Sequence, residues 1–484
     1  MPGNVPPVWS AVTLVAAYTV FLLSYLVFAL GKFPGMRIDR TGAAIIGAVL
    51  MVAFRAVPAA QALRFIDFPT IVLLFSMMLL VAYLHVAGFF DWVADLVVRQ
   101  LAPRHLLPAI IFTSGLLSAF FVNDVICLVM VPFTLTATRR MGLRPVPYLL
   151  AAATASNIGS VATITGNPQN ILIGSLSGIG YTSFLAHLGP IAVAGLFLDW
   201  LVIWLLDTRS SLIPKTTLVA TPETTPQAVL RAARQAATDT APQRVTQPTS
   251  NATRTAVPSP NWATNLPANS PDNLPHSASA DLDLAAPRRL SRQIVKPAIV
   301  AMLVLAGFLS GAPPALVAAL GAATMLITRE RDPREVYGQV DWGLLVFFVG
   351  LFLIVGGAEN AGLMTRILSW GRRWNLENAG TFTVATALFS NVVSNVPAVM
   401  LLKSLAPHVI SHHGSTNPQT GWLLLAMSST LAGNLTVTGS IANIIVIERA
   451  RPEAGISFTQ YARIGVPVTI ATLALGWLWP AIIH

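Results

Sequence analysis

Thr163-Ile164-Thr165-Gly166-Asn167-Pro168-Gln169-Asn170 and Thr436-Val437-Thr438-Gly439-Ser440-Ile441-Ala442-Asn443 are two copies of one polar break in an apolar chain. Gly166 aligns with Gly439 and Asn170 with Asn443 (443 − 170 = 273). Working outward, Asn123 in SAFFVND (118–124) aligns with Asn395 in SNVVSNV (390–396) (395 − 123 = 272). Asp67 and Gly88 align with Asp341 and Gly362 (341 − 67 = 274). Three anchors at a nearly constant offset mark a duplicated unit. Polar breaks at matching positions of an apolar duplication are the pattern of a secondary transporter.

Composition agrees. Apolar residues make up 54% of the 484 residues and charged residues only 10%, with a mean hydropathy of +0.66. A soluble domain carries about 25% charged residues, so this chain cannot cover a water-facing surface. The net charge of +10 sits mainly at helix ends and in one linker. It is read as the positive-inside signal of a multi-pass protein of the bacterial cytoplasmic (inner) membrane, not as a nucleic-acid site. The first apolar stretch, from about Val8, has no basic segment ahead of it and reads as a retained span. Cys127 is the sole cysteine, so neither an intrachain disulfide nor a multi-cysteine metal site can form.

The expected fold is an all-α polytopic membrane protein of two inverted-topology repeats, about ten spans plus two re-entrant hairpins with broken helices. Repeat one (1–206) is read as spans near 9–30, 41–57, 68–88 and 183–206, a hairpin near 105–139 and a broken span near 146–178. A Thr-, Ala-, Pro- and Gln-rich segment, 207–293, reads as a disordered cytoplasmic linker. Repeat two (294–484) is read as spans near 294–311, 313–328, 341–358 and 459–483, a hairpin near 380–411 and a broken span near 421–449. Basic clusters at Lys32, Arg37 and Arg40, at Arg99, Arg104, Arg139, Arg140 and Arg144, in the linker, at Arg329, Arg331 and Arg334, and at Arg449 and Arg451 all fall on the inner side. Arg366, Arg372 and Arg373 are the exception. Five crossings per repeat is odd, which turns the second repeat upside down relative to the first.

A polar break in a lipid-embedded helix persists where it lines a cavity, because freed backbone groups have no water to bond. Four breaks are legible: Asn123-Asp124; Asn157 with Thr165, Gly166, Asn167 and Asn170; Ser394-Asn395; and Asn434 with Thr436, Thr438, Gly439, Ser440 and Asn443. Half-helix N-termini there suit an oxyanion, and freed carbonyls a cation. The competing reading is helix packing through small residues with Ser, Thr and Asn as glue; four breaks in register favour the binding site.

These motifs, Asn-Asp at a hairpin tip, Gly-Asn-Pro-Gln-Asn and Ser-Asn-Val-Pro-Ala-Val, resemble those of the ion transporter superfamily, whose members include arsenite permeases, sodium/proton antiporters, citrate carriers and divalent-anion symporters. The resemblance covers both halves but not the linker. It implies hairpin-bearing inverted repeats, an elevator-like movement and a homodimer. It also implies that Asn123 and Asn395 are the hairpin-tip amides. Thr165, Gly166, Asn167 and Asn170, with Thr438, Gly439, Ser440 and Asn443, become the broken-helix ligands. The arsenite-permease branch is the nearest. The Ser-Asn-Thr signature of the dicarboxylate branch is missing, since Ile158 follows Asn157 and Val396 follows Asn395.

Asp124 is the sharpest ionisable residue: a carboxylate at a tip within the membrane is functional by default and can bind H+ or Na+. Its repeat partner is Val396. A bound Na+ near Asn123, Asp124 and Asn395 is a candidate; no other cofactor is expected. Asp67 and Asp341 read as helix caps, Glu359 and Asn360 as a solvated helix end, Lys403 as a snorkelling side chain and Cys127 as packing. Asp199, His187 and Glu448 read as near-interface residues. The chain has no phosphate-binding loop, metalloprotease motif or catalytic triad, so no enzyme is read from it. The expectation is a carrier for a small oxyanion or metalloid, driven by H+ or Na+. The alternatives are a Na+/H+ antiporter, a di- or tricarboxylate symporter, and a membrane scaffold that recruits a partner through the linker.

Overall fold

Helices satisfy their own backbone within one segment, as lipid demands, and every regular element among the described residues is a helix or a short 3₁₀ turn. The computed structural model describes residues 11–32, 36–98, 101–206, 292–327, 332–410 and 418–483. The expected linker lies outside them except for its last two residues. Arg99, Arg209, Lys215, Arg288, Arg289, Arg329 and Arg331 of the basic clusters lie outside them too.

In the first half, α1 (Ala11–Leu30), α2 (Arg40–Ala53), α3 (Phe68–Val86) and α4 (Phe89–Val98) lead to the hairpin α5 (Leu106–Phe120) and α6 (Asn123–Arg140). The broken pair α7 (Pro145–Ser160) and α8 (Pro168–Ser177) follows, then the long α9 (Tyr181–Leu206). The second half repeats the order. It runs through α10 (Arg292–Leu309), α11 (Pro314–Leu326), a short α12 (Pro333–Tyr337), α13 (Trp342–Asn360) and α14 (Leu363–Arg373). The hairpin α15 (Ala379–Val393) and α16 (Asn395–Leu402), the broken pair α17 (Pro418–Leu431) and α18 (Ile441–Ala450), and α19 (Phe458–Ile483) complete it. The helices α4 and α14, unforeseen from sequence, lead from α3 and α13 to the two hairpins.

Among the described residues, α1, α3, α9, α13 and part of α19 are long and apolar enough to cross a bilayer by themselves. Others expected as full spans, α2, α10 and α11, are apolar but shorter, 13 to 18 residues; the hairpin arm α15 has 15. Spans α3 and α13 are the most enclosed, about two thirds of each lying inside the protein.

The halves interlock by exchange. Helix α2 packs on α13, and its repeat equivalent α11 packs on α3. Helix α6 packs on α18, and its equivalent α16 on α8, while α9 packs on its own counterpart α19. Close approach is secured by small residues: a Cβ at Gly159 on α7 would lie 2.0 Å from the carbonyl oxygen of Gly115 on α5. Gly159→Ala therefore costs about 1–3 kcal/mol by overpacking, read by chemical unfolding in detergent, whereas Gly180→Ala, with nothing within 4 Å of the added carbon, leaves the midpoint unchanged.

Candidate functional site

Both hairpin tips and both broken helices meet at one place. A cavity of about 330 Å³ is lined by Asn123 and Asp124, Pro168 and Gln169, Ser394 to Val396, and Gly439 to Ile441. Its remaining wall is Asp39, Arg40 and Thr41 at the start of α2, and Asp341, Gly343, Leu344 and Phe347 at the start of α13. Helices α2, α6, α8, α13, α16 and α18 thus begin at this space. Each helix start leaves backbone N–H groups without intrahelical acceptors.

Side chains answer some of those groups. Asp39 accepts from the Gly42 amide at 2.8 Å and Asp341 from Leu344 at 2.9 Å. Asn167 accepts from Asn170 at 2.9 Å, and Ser440 from Ala442 at 3.3 Å. Neither α6 nor α16 has a side-chain cap. Asp124 interacts with the Ala442 amide, so it serves the facing helix α18 and not its own arm. Arg40 Nη1 lies 3.5 Å from Ser394 Oγ. Ser394, at the tip facing the cavity, holds φ 78° and ψ 156°, a glycine-type conformation that costs a serine about 1–3 kcal/mol.

Behind the cavity lies a layer of buried amides. Asn157 is its hub. Its Oδ1 accepts from Asn123 Nδ2 at 3.0 Å and from Ser440 Oγ at 2.9 Å, and its Nδ2 donates to Asn434 Oδ1 at 2.8 Å and Asn443 Oδ1 at 3.0 Å. The pattern recurs with the halves exchanged. Asn170 Nδ2 donates to the Ser160 and Thr163 carbonyls at 3.0 Å each, and Asn443 Nδ2 to the equivalent Gly433 and Thr436 carbonyls at 2.7 and 3.2 Å. Asn157 reaches across to Asn443, and Thr430, its repeat equivalent, reaches across to Asn170 Oδ1 at 3.4 Å. These bonds hold open the turns where the helices break. A Cβ at Gly166 would sit 2.2 Å from the Ser160 carbonyl oxygen, so only glycine closes that turn.

Of the residues singled out from sequence, Asn123, Asp124, Ser394, Asn395, Gly439 and Ser440 line the cavity. Asn157, Asn167, Asn170, Asn434 and Asn443 form the layer behind it, buried throughout. Gly166 closes a turn. Thr165 points elsewhere, buried against the Tyr181 hydroxyl at 3.1 Å. Thr436 bonds Asn391 Oδ1 at 3.0 Å, and Thr438 is exposed.

Several readings change. Asp67 does not cap its helix; it accepts the Thr70 hydroxyl at 2.6 Å. Glu359 and Lys403 are neither a solvated end nor a snorkelling cation but an ion pair at 2.7 Å, both partly buried. Asn360 donates to the Ala56 carbonyl at 3.2 Å. Asp199 is no interface residue: it is fully buried, with Oδ2 3.0 Å from the Thr154 hydroxyl. Cys127 is buried as expected of packing. Arg40 and Asp39 were missed as cavity residues, whereas Gln169 belongs to the polar break read from the sequence. Arg40 looked like one more basic loop residue, and only the exchange of α2 and α13 brings it to the hairpin tips.

Comparisons with known proteins fit this architecture. Residues 25–423 match the citrate transporter family. The chain is 32% identical over 452 residues to the silicon efflux transporter LSI3 of Oryza sativa, covering 92% of each chain. It is 34% identical to the putative transporter arsB of Dictyostelium discoideum, covering 94% of this chain and 90% of that one. The crystal structure of the Alcanivorax borkumensis YdaH transporter shares the fold, at TM-score 0.51 and 15% identity over 97% of both chains.

Removing the hub should be expensive. Asn157→Ala strands the amide or carbonyl oxygens of Asn123, Asn434 and Asn443, and each stranded buried group costs about 1–3 kcal/mol; unfolding in detergent reads a loss of at least about 2 kcal/mol, against little change for Thr438→Ala. With its cavity at the meeting of two exchanged halves and its match over most of its length, the chain belongs to the citrate transporter family and is a multi-pass membrane transporter.

Proposed function

We propose that the chain is a secondary active carrier of a small metalloid hydroxy acid, of the arsenous or silicic acid class, in the cytoplasmic membrane. The observation that carries this is the charge and chemistry of the cavity wall: three carboxylates, one guanidinium, and otherwise amides, hydroxyls and apolar carbons. The carboxylates are engaged by the amides of Gly42, Leu344 and Ala442. Arg40 and the uncapped starts of α6 and α16 then offer donors to oxygen atoms. A neutral, hydroxyl-rich solute pairs with both sets. A trianion would face like charges at short range, which costs several kcal/mol.

The reciprocal packing of the two halves supports inverted repeats with the hairpins entering from opposite sides. The bodies α5–α8 and α15–α18 then carry the cavity across the membrane in an elevator-like movement. Asn123, Asp124, Ser394, Asn395, Gly439 and Ser440 contact the solute, with Asn157, Asn167, Asn170, Asn434 and Asn443 holding the turns. A neutral cargo draws nothing from the membrane potential, so the energy comes from H+ or Na+, with Asp124 the cavity carboxylate that meets the ion. Arg40 favours a second reading, a carboxylate anion of the citrate type. A third is Na+/H+ exchange without an anion.

Purified protein in vesicles separates these. Arsenite or silicic acid is expected to move in response to a pH or Na+ gradient, and citrate not. Citrate transport without metalloid transport contradicts the proposal, as does proton flux that needs only Na+. Asp124→Asn is expected to abolish gradient-driven transport. Arg40→Gln lowers apparent affinity about ten- to a hundredfold, the loss of one charge-assisted bond of roughly 1.5–3 kcal/mol.

A further inference from the structure

Asp199 lies in the middle of α9, outside the cavity wall, and no solvent reaches it. Its Oδ1 has no hydrogen-bond partner. Its Oδ2 lies 3.0 Å from the Thr154 hydroxyl, which is also 2.9 Å from the Leu150 carbonyl one turn back on α7. A threonine hydroxyl has one hydrogen and two acceptor positions. If that hydrogen goes to Leu150, the hydrogen between Thr154 and Asp199 must come from the carboxyl group. If it goes to Asp199, the Leu150 carbonyl loses it. The pair therefore has two arrangements that differ by one proton.

Among the described residues, the surroundings supply no cation. Helix α9 packs on α5, α7, α10, α17 and α19. Helices α5 and α17 carry no ionisable residue, and α7 carries only Tyr148. From α19 the Tyr461 hydroxyl interacts with Asp199, and the Cys127 thiol of α6 acts on Tyr461 in turn. Arg463 of α19 is bonded to the Leu206 carbonyl at the far end of α9, at 3.0 Å. Lys296 of α10 is bonded to the Ile327 carbonyl. On α9 itself, His187 is bonded to the Ser183 carbonyl. An isolated buried carboxylate is costly and marks function by default.

A continuous chain of bonds joins this group to the cavity. The Thr154 carbonyl accepts from Asn434 Nδ2 at 3.1 Å, Asn434 Oδ1 from Asn157 Nδ2 at 2.8 Å, and Asn157 Oδ1 from Asn123 Nδ2 at 3.0 Å. The Tyr461 hydroxyl donates to the Asn434 carbonyl at 3.1 Å. We infer that Asp199 is a proton-binding site of the carrier, separate from the cavity and coupled to it through Thr154, Asn434, Asn157 and Asn123. One O–H bond forms when a proton arrives from water and breaks when it returns; nothing else is made or lost. The amides do not carry the proton. They transmit the position of Thr154 to the cavity wall. This deepens the carrier reading by naming where a proton binds, and its first test needs no cargo.

Infrared spectra of the full chain in lipid, recorded across pH, read the carboxylic acid carbonyl stretch. The wild type is expected to show a band that changes with pH, is absent from Asp199→Asn, and is shifted in frequency in Thr154→Val. In vesicles, Asp199→Asn keeps arsenite exchange without a gradient and loses accumulation driven by a pH gradient. Identical band patterns in the wild type and Asp199→Asn overturn the inference, as does unchanged pH-driven accumulation by that variant. A band that responds to Na+ at fixed pH and not to protons also overturns it. Should Asp199→Asn fail to fold, the Thr154→Val band decides: a shift supports the site and no shift refutes it. A titrating band in a protein that moves neither arsenite nor silicic acid refutes the cargo assignment and leaves this site standing.

Discussion

Backbone groups freed by a broken helix inside a membrane must be bonded by protein, because no water is there to take them. The rest of this structure follows from how that demand is met. Asn170 ties the Ser160 and Thr163 carbonyls, and Asn443 ties those of Gly433 and Thr436. Asn157 then joins the hairpin of the first half to the broken helix of the second. One duplicated solution, applied twice, makes the break in each half and the link between halves out of the same residue type.

The link has a consequence for the cavity. With the turns held from behind, the helix starts can face an open space without collapsing onto one another. Exchange of α2 with α13 and of α3 with α11 brings two further helix starts to that space, each with its own aspartate cap. The wall is therefore rich in donors, and its carboxylates are already engaged. Strain at Ser394 sits at the break between α15 and α16, on the cavity wall. Asn157 makes four side-chain hydrogen bonds within the amide layer, while Asn123 Oδ1, at its cavity end, has no partner, so the layer is tied firmly at its hub and less so where it meets the cavity.

The breaks and hairpins were legible because they violate the apolar pattern: Asn123-Asp124, Ser394-Asn395 and the two Thr-x-Thr-Gly runs have no other reason to stand in a lipid-length apolar stretch. The repeat offset placed their partners. What sequence could not reveal was which helix starts converge. Arg40 and Asp39 look like ordinary residues at a span entrance, and Asp341 like an ordinary cap. Their place at the cavity comes from contacts with residues some three hundred positions away, as in the Arg40–Ser394 pair. Asp199 misled for a different reason: in a stretch with Trp200 and Trp204 nearby it resembles an interface belt, and periodicity does not show that it faces Thr154. Helices α4 and α14 were passed over because their charged residues break the apolar run that signals a span.

In the proposed carrier the hairpin tips enclose a solute that meets each side of the membrane in turn. Cys127, the sole native cysteine, is buried, so a cysteine placed at position 394 can be read alone in membrane vesicles of both orientations. Membrane-impermeant thiol reagents should label it from either side, to an extent set by the direction of the gradient, and arsenite should protect it. Labelling from one side only, indifferent to gradient and solute, would contradict the account.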